Sequence, residues 1–171
     1  MPKGLKPTSQ LITIGFRASE SAANTFTQAQ VDLQLNPLDL EVFVVQAIDI
    51  DTSAPEALIG TNTIVSASLS STSRTDLGRL SDSNVMAVKS VQFRSGNATT
   101  PPVAYVSGSM ETPPTNMEYL GIIATNDFFV QIEGANNTAV KNATGKVYGY
   151  RAKADAEVFA ALTQSELLSA N

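Results

Sequence analysis

The sequence predicts an all-β domain closed by a single helix, and three observations lead there. Apolar residues recur at every second position through most of the stretch from Leu11 to Ala152, the period of a half-buried strand. Clusters of Gly, Pro, Asn, Asp and Ser interrupt that alternation at short intervals, as tight turns require. Only after Asp155 does the apolar spacing lengthen to that of a helix.

The elements follow in order. The first ten residues, MPKGLKPTSQ, read as a flexible polar arm, leaving 11–171 as one domain with its terminal helix. LITIGFRAS puts Ile12, Ile14 and Phe16 on one face of a strand. TFTQAQVDLQL does the same with Ala29, Val31, Leu33 and Leu35, set against Gln28, Gln30, Asp32 and Gln34. NPLD then breaks the pattern, because Pro37 cannot donate to a ladder. LEVFVVQAIDIDT, Leu40 to Thr52, is about twice the usual strand length of roughly 5–6 residues. Strict alternation places Leu40, Val42, Val44, Ile48 and Ile50 on one side, with Glu41, Phe43, Val45, Ala47, Asp49 and Asp51 on the other.

Beyond the loop SAPEALIG, TNTIVSASLSS turns Thr63, Val65, Ala67 and Leu69 inward, and STSRTDLGRLSDSN reads as a long loop. VMAVKSVQF, VAYVSGSME, YLGIIA, FFVQIEG and GKVYGYRAKA are further strands, the last two forming a hairpin around ANNTAVKNAT. In DAEVFAALTQSELLS, Val158, Phe159, Leu162 and Leu168 share one helical stripe over about 155–169, with Asp155 placed to cap it. Eight or nine short strands with one late helix suit a sandwich or barrel, and about eight suits a jelly roll. No period of about 20–50 residues marks a solenoid or propeller.

Composition removes whole classes of function. The chain has no Cys and no His, so Ser-His-Asp and Cys-His catalysis, thiolate zinc sites and His-ligated metals are gone. A net charge of −5, with the 11 basic residues scattered, argues against strong direct nucleic-acid binding. No apolar run approaches the roughly 18 residues of a membrane span, and no apolar leader precedes Leu11. Charged residues make up 16% of the chain, against roughly 25% in an average soluble protein. Either neutral polar side chains cover the surface, or part of it is buried in an assembly, where interface cores are poor in charge.

Few motifs carry chemistry. Gly145-Lys146 lacks the earlier Gly (Val140 stands there) and the following Ser or Thr (Val147) of a phosphate loop. Asp49 and Asp51 lie on one strand face, where they would hold Ca²⁺ with loop carbonyls or simply sit in water. A carboxylate-pair glycosidase is compatible with the composition, but sugar clefts lean on aromatic faces, and this chain has no Trp and four Tyr. Tyr148 and Tyr150 flank Gly149 on one face, either as a stacking platform or as packing in which Gly149 admits a bulky neighbour. Asn97, Asn136 and Asn142 begin Asn-X-Ser/Thr patterns and read as loop residues. No cofactor is implied, and the chain is expected not to be an enzyme.

Many short strands, a polar non-basic N-terminus, no catalytic set and a low-charge surface resemble the single jelly-roll viral capsid proteins. The C-terminal third, FFVQIEGANNTAVKNATGKVYGYRAKADAEVFAALTQSELLSA, is the most similar part, with two strands flanking a loop and then a closing helix. The resemblance implies an eight-stranded double-sheet subunit that is made in a host cytoplasm, assembles into a closed shell and resides in the virion. Its partners would be copies of itself and other capsid proteins. The two lysines of the arm depart from the basic arms of many RNA-virus coats, which puts genome condensation by this chain in doubt. In such a fold the Leu40–Ile50 face lines the interior. Phe43 and Val45 then face a neighbour or lie under the chain's own helix, and Val158, Phe159 and Leu162 grip a neighbour or pack on the β-body. The alternative reading is a ligand-binding β-sandwich, such as a trimeric tumour-necrosis-factor-like or carbohydrate-binding module.

Overall fold

The alternation of the sequence becomes ten strands in a computed structural model that describes residues 3–96, 99, 101–108 and 117–169. They are β1 (Leu5–Pro7), β2 (Ile12–Ser19), β3 (Thr27–Asp32), β4 (Glu41–Thr52), β5 (Thr63–Ser70), β6 (Val85–Arg94), β7 (Val103–Gly108), β8 (Gly121–Ile123), β9 (Asp127–Ala135) and β10 (Asn142–Ala154), followed by α1 (Ala156–Ser169). The protein is an all-β sandwich of two five-stranded antiparallel sheets. One sheet runs β1-β10-β4-β8, with β2 also on β10 beyond the end of β1; the other runs β3-β9-β5-β6-β7.

Setting β1 and β7 aside, the pairs nest. β5 lies beside β6, β4 beside β8, β3 beside β9 and β2 beside β10. A long antiparallel ribbon folded over on itself gives this order, with successive pairs falling alternately in the two sheets. The expected hairpin between the last two strands is therefore corrected. β9 and β10 are consecutive in sequence but sit in opposite sheets, and residues 136–141 cross from one to the other. Two strands also exceed the expected eight. The arm expected over 1–10 supplies β1, with Leu5 buried, and β7 extends the second sheet by one.

Between the sheets lies the main core, which includes Phe16, Phe43, Val45, Ile48, Ile50, Val65, Leu69, Phe128, Val130, Ile132 and Val147. Thr63, Val65, Ala67 and Leu69 all point inward, as the alternation of β5 predicts. Strand β4 does not alternate strictly. Its register on β10 shifts between Tyr148 and Gly149, where Ala47 faces Tyr148 and Val45 faces Gly149, leaving Gln46 as an extra residue. A bulge of this kind inverts the facing of everything on one side of it. Ile48 and Ile50 enter the main core as expected, whereas before the bulge Phe43 and Val45 enter it and Val42 and Val44 face out. Leu40 is not in the strand; it turns the chain at φ 56° after the short 3₁₀ turn Pro37–Asp39.

Two glycines of β10 make room for the phenylalanine rings of this core. A Cβ on Gly149 would stand 2.6 Å from the Phe43 ring and collide with the Val44 carbonyl oxygen. One on Gly145 would meet the Phe16 ring at 2.5 Å and the Asp49 carbonyl. Phe16 in turn meets Phe128 edge to face, centroids 6.1 Å apart, a favoured aromatic geometry. The expectation that Gly149 admits a bulky neighbour holds, and the neighbour is Phe43. The motif rejected as a phosphate loop is mid-strand, with Lys146 in β10 opposite Asp49 and Gly15.

Candidate functional site

One part of the first sheet's outer face, before the bulge, is covered by α1. Val42, Val44, Ala152 and Ala154 form a second apolar cluster with Leu5 and Ala124. Val158, Phe159 and Leu162 of α1 pack onto it, together with Tyr119, Ile122 and Tyr150. These three helix residues, candidates for gripping a neighbour, therefore cover their own sheet. Phe43 and Val45, the two strand candidates, are 1% and 0% exposed between the sheets and offer nothing to a neighbour or to the helix. The physical reason is the bulge at Gln46, which a strict count of two cannot register.

Helix α1 is held at both ends. The Asp155 carbonyl accepts from the Phe159 amide, the first helical bond, which puts Asp155 at the capping position; its own amide donates to the Gly4 carbonyl. Near the other end the Glu166 carboxylate, 7% exposed, accepts from the Ala124 amide (3.2 Å) and the Thr125 amide (2.9 Å) just after β8. Burial pushes the Glu166 carboxyl above its ordinary range, against the lowering pull of those amides. The far side of the helix is open and mixed, with Glu157, Gln164 and Ser165 exposed beside Ala160 and Ala161. Leu167 and Leu168 are exposed, so the expected stripe through Leu168 ends at Leu162.

Near its middle the second sheet turns neutral polar groups outward. Gln131, with no exposure, donates to Ser70 Oγ (2.7 Å) and Gln28 Oε1 (3.0 Å), and its own Oε1 accepts from Ser68 Oγ (2.8 Å). The long loop 71–84 lies over these groups. Its Arg74 and Gly78 amides donate to Gln28 Oε1 and Ser68 Oγ. Buried amides and hydroxyls cost stability unless paired, and here they are paired with each other.

At one end of the sandwich the loops after β2, β4 and β9 are tied by carboxylates. Glu20 accepts from the Gly134 and Lys141 amides. Glu56 accepts from Thr138 Oγ1 (2.6 Å), the Thr138 and Ala139 amides and Lys141 Nζ (3.2 Å). The Thr138 bonds, aided by Lys141 and Ala139, hold the Glu56 carboxyl down at about 2. Sequence reasoning missed Glu20, Glu56 and Glu166 because nothing local distinguishes a carboxylate bonded to distant amides from a solvated one.

Asp49 and Asp51 share an exposed outer face, as expected, but the strands beside them bring up bases. Lys146 is opposite Asp49, and Arg17 lies across Thr144 from Asp51. A cation there would compete with two cationic side chains. Among the described residues, no group of three or more His, Cys, Asp or Glu is placed to hold a metal ion. Tyr150 lies at the edge of the helix-covered cluster, its hydroxyl raised by burial and by Glu118. A shallow groove of about 520 Å³ beside it is lined by Pro7, Leu11, Gln46, Met117 and Glu118. Asn136 and Asn142 fall in the loop after β9 and at the start of β10; Asn97 lies outside the described residues. Among those residues, no helix is long and apolar enough to cross a membrane.

Strand β7 is the least covered element. All six residues from Val103 to Gly108 are exposed, Val103, Tyr105 and Val106 by 68%, 55% and 59%. It pairs with β6 on one side and, among the described strands, with nothing on the other. Compared with known proteins, the chain matches no family model and no curated protein.

Proposed function

We propose that this chain is a structural subunit of a virus shell, a single jelly-roll domain whose work is to associate with copies of itself. The observation that carries the proposal is the nested strand order. β2-β10-β4-β8 faces β3-β9-β5-β6, and this nesting supports the jelly-roll reading, an architecture found in viral capsid domains among others. Fold alone does not assign function, so the surface has to supply the rest. Part of each sheet's outer face is covered by the chain's own helix or loop, while Val103, Tyr105, Val106, Leu167 and Leu168 stand exposed on a chain with 16% charged residues. Apolar groups left at an edge and a terminus, with little charge around them, favour contacts between copies. The carboxylates most deeply held are bonded to backbone amides that tie loops and helix, which suits a structural part better than a catalyst.

Purified protein examined by negative-stain electron microscopy and light scattering at low and high salt tests the proposal. Closed particles or uniform rings are the expected result. A monomer at every concentration and salt overturns it and turns attention to the groove beside Tyr150 as a ligand site, the reading of a binding module.

A further inference from the structure

We infer that β7 is a docking edge for a second copy of this chain, the two β7 strands pairing antiparallel across a two-fold axis so that two five-stranded sheets become one of ten. The inference rests on the self-assembly reading and names the contact. An edge strand carries a row of N–H and C=O groups with no ladder partner, and proteins normally blunt such an edge with charge, proline, shortness or a covering segment. The other edges of this sandwich are blunted. β1 and β8 have three residues each, β2 carries Arg17, and β3 ends in Asp32. β7 has six residues, VAYVSG, with no charge and no proline inside the strand.

The choice of a second copy as occupant follows from charge and symmetry. Each chain carries −5, so a contact between identical acidic surfaces sets like charges against each other, which destabilises a cross-strand pair. A seam without charge is complementary to itself. The β6 bases Lys89 and Arg94 lie one strand back, and the Arg94 guanidinium sits 5.7 Å from the centre of the Tyr105 ring. A two-fold axis normal to the sheet keeps the outer face outward in both copies. Same-face residues then oppose one another, and one residue on the axis meets its own copy. In a strand of six, that residue is Tyr105 or Val106. Tyr105 with Val103 and Ser107 then packs on the outer face, Val106 with Ala104 on the inner. Such an isologous contact closes on itself, which leaves the remaining exposed apolar groups for other contacts of a shell.

The absence of cysteine makes the test direct. Tyr105→Cys and Val106→Cys are each placed singly into the full chain, with Leu38→Cys as control, since Leu38 is 92% exposed and far from β7 in sequence. Cβ atoms directly opposite across a strand pair lie about 4.5–5.5 Å apart, close to the reach of a disulfide. Under mild diamide oxidation one or both β7 variants should form covalent dimer at least about tenfold faster than the control, because a paired seam holds the two thiols at high effective concentration. Tyr105→Glu and Val106→Glu, both on exposed side chains, should keep the monomer folded by circular dichroism and abolish the dimer by light scattering. Assembly of the wild type, with no preference for β7 cross-links and no effect of the glutamates, overturns the strand pairing and leaves the shell reading standing. Dimers that cross-link at β7 and grow no further keep the pairing and overturn the shell. A chain that stays monomeric and cross-links no faster than the control overturns both, including the case in which β7 takes a foreign strand.

Discussion

Glu166 joins a charge to a packing contact, and its titration is the most exposed consequence. Its carboxyl is raised above 4.5 by burial, so the folded state holds the proton more tightly than the unfolded chain does. The stabilisation is therefore complete below about 4.5 and is lost as pH rises through the raised folded value. Glu166→Gln keeps an acceptor for the Ala124 and Thr125 amides without a charge. The melting temperature of wild type minus that of the variant should be highest at acid pH and fall toward neutrality; a constant difference would sink the assignment. Glu56 runs the other way. Its carboxyl is lowered to about 2, so its contribution is present above about 4.5 and vanishes as pH falls through about 2. Glu56→Gln should lower the melting temperature at neutral pH and converge with wild type in strong acid. At Gly149 the chemistry is steric: Gly149→Ala drives a methyl into Phe43 and the Val44 carbonyl, for an expected loss of about 1–3 kcal/mol by chemical denaturation, the usual range for overpacking.

Strand β4 decides what was legible in the sequence and what was not. Alternation in β2 and β5 placed Phe16, Val65 and Leu69 in the core without knowledge of their neighbours, because those strands stay in register where these residues lie. The period change after Asp155 placed α1 to within a residue at its start. In β4 the same rule fails at Gln46, since a bulge depends on the partner strand and leaves no mark in the apolar count. The amide-bound carboxylates and the exposure of β7 were hidden for a related reason, as both depend on residues distant in sequence. The bulge also redirects mutagenesis. Val45→Lys would place an unpaired ammonium between the sheets, a change in the class that exceeds about 4–5 kcal/mol, enough to unfold a domain of ordinary stability. Removing α1 should instead leave the sandwich core intact while uncovering Val42, Val44 and Leu5, so that the truncated chain gains binding of a hydrophobic dye and aggregates. A truncated chain that remained soluble and dye-silent would show that the helix is not the cover for this face.

For the whole molecule the balance is between a repulsion shared by every copy and contacts that carry little charge. In the proposed shell a charge of −5 on each chain would oppose bringing many copies together, a long-range cost that adds up with copy number, while the proposed β7 seam carries no charge. Salt acts on the first and hardly on the second: between about 0.01 M and about 1 M the screening length falls from roughly 30 Å to roughly 3 Å. The protein concentration at the midpoint of assembly should therefore drop as sodium chloride is raised, without a change in the β7 cross-linking pattern. Calcium offers the contrast. If Asp49 and Asp51 bound it specifically, calcium chloride would lower the midpoint further than sodium chloride at equal ionic strength. With Lys146 and Arg17 beside them, the two salts should instead act alike at matched ionic strength. Light-scattering titrations in both salts read that comparison directly. An excess effect of calcium that disappears in Asp49→Asn with Asp51→Asn would restore the metal site, and an assembly midpoint indifferent to either salt would show that net charge is not what limits association.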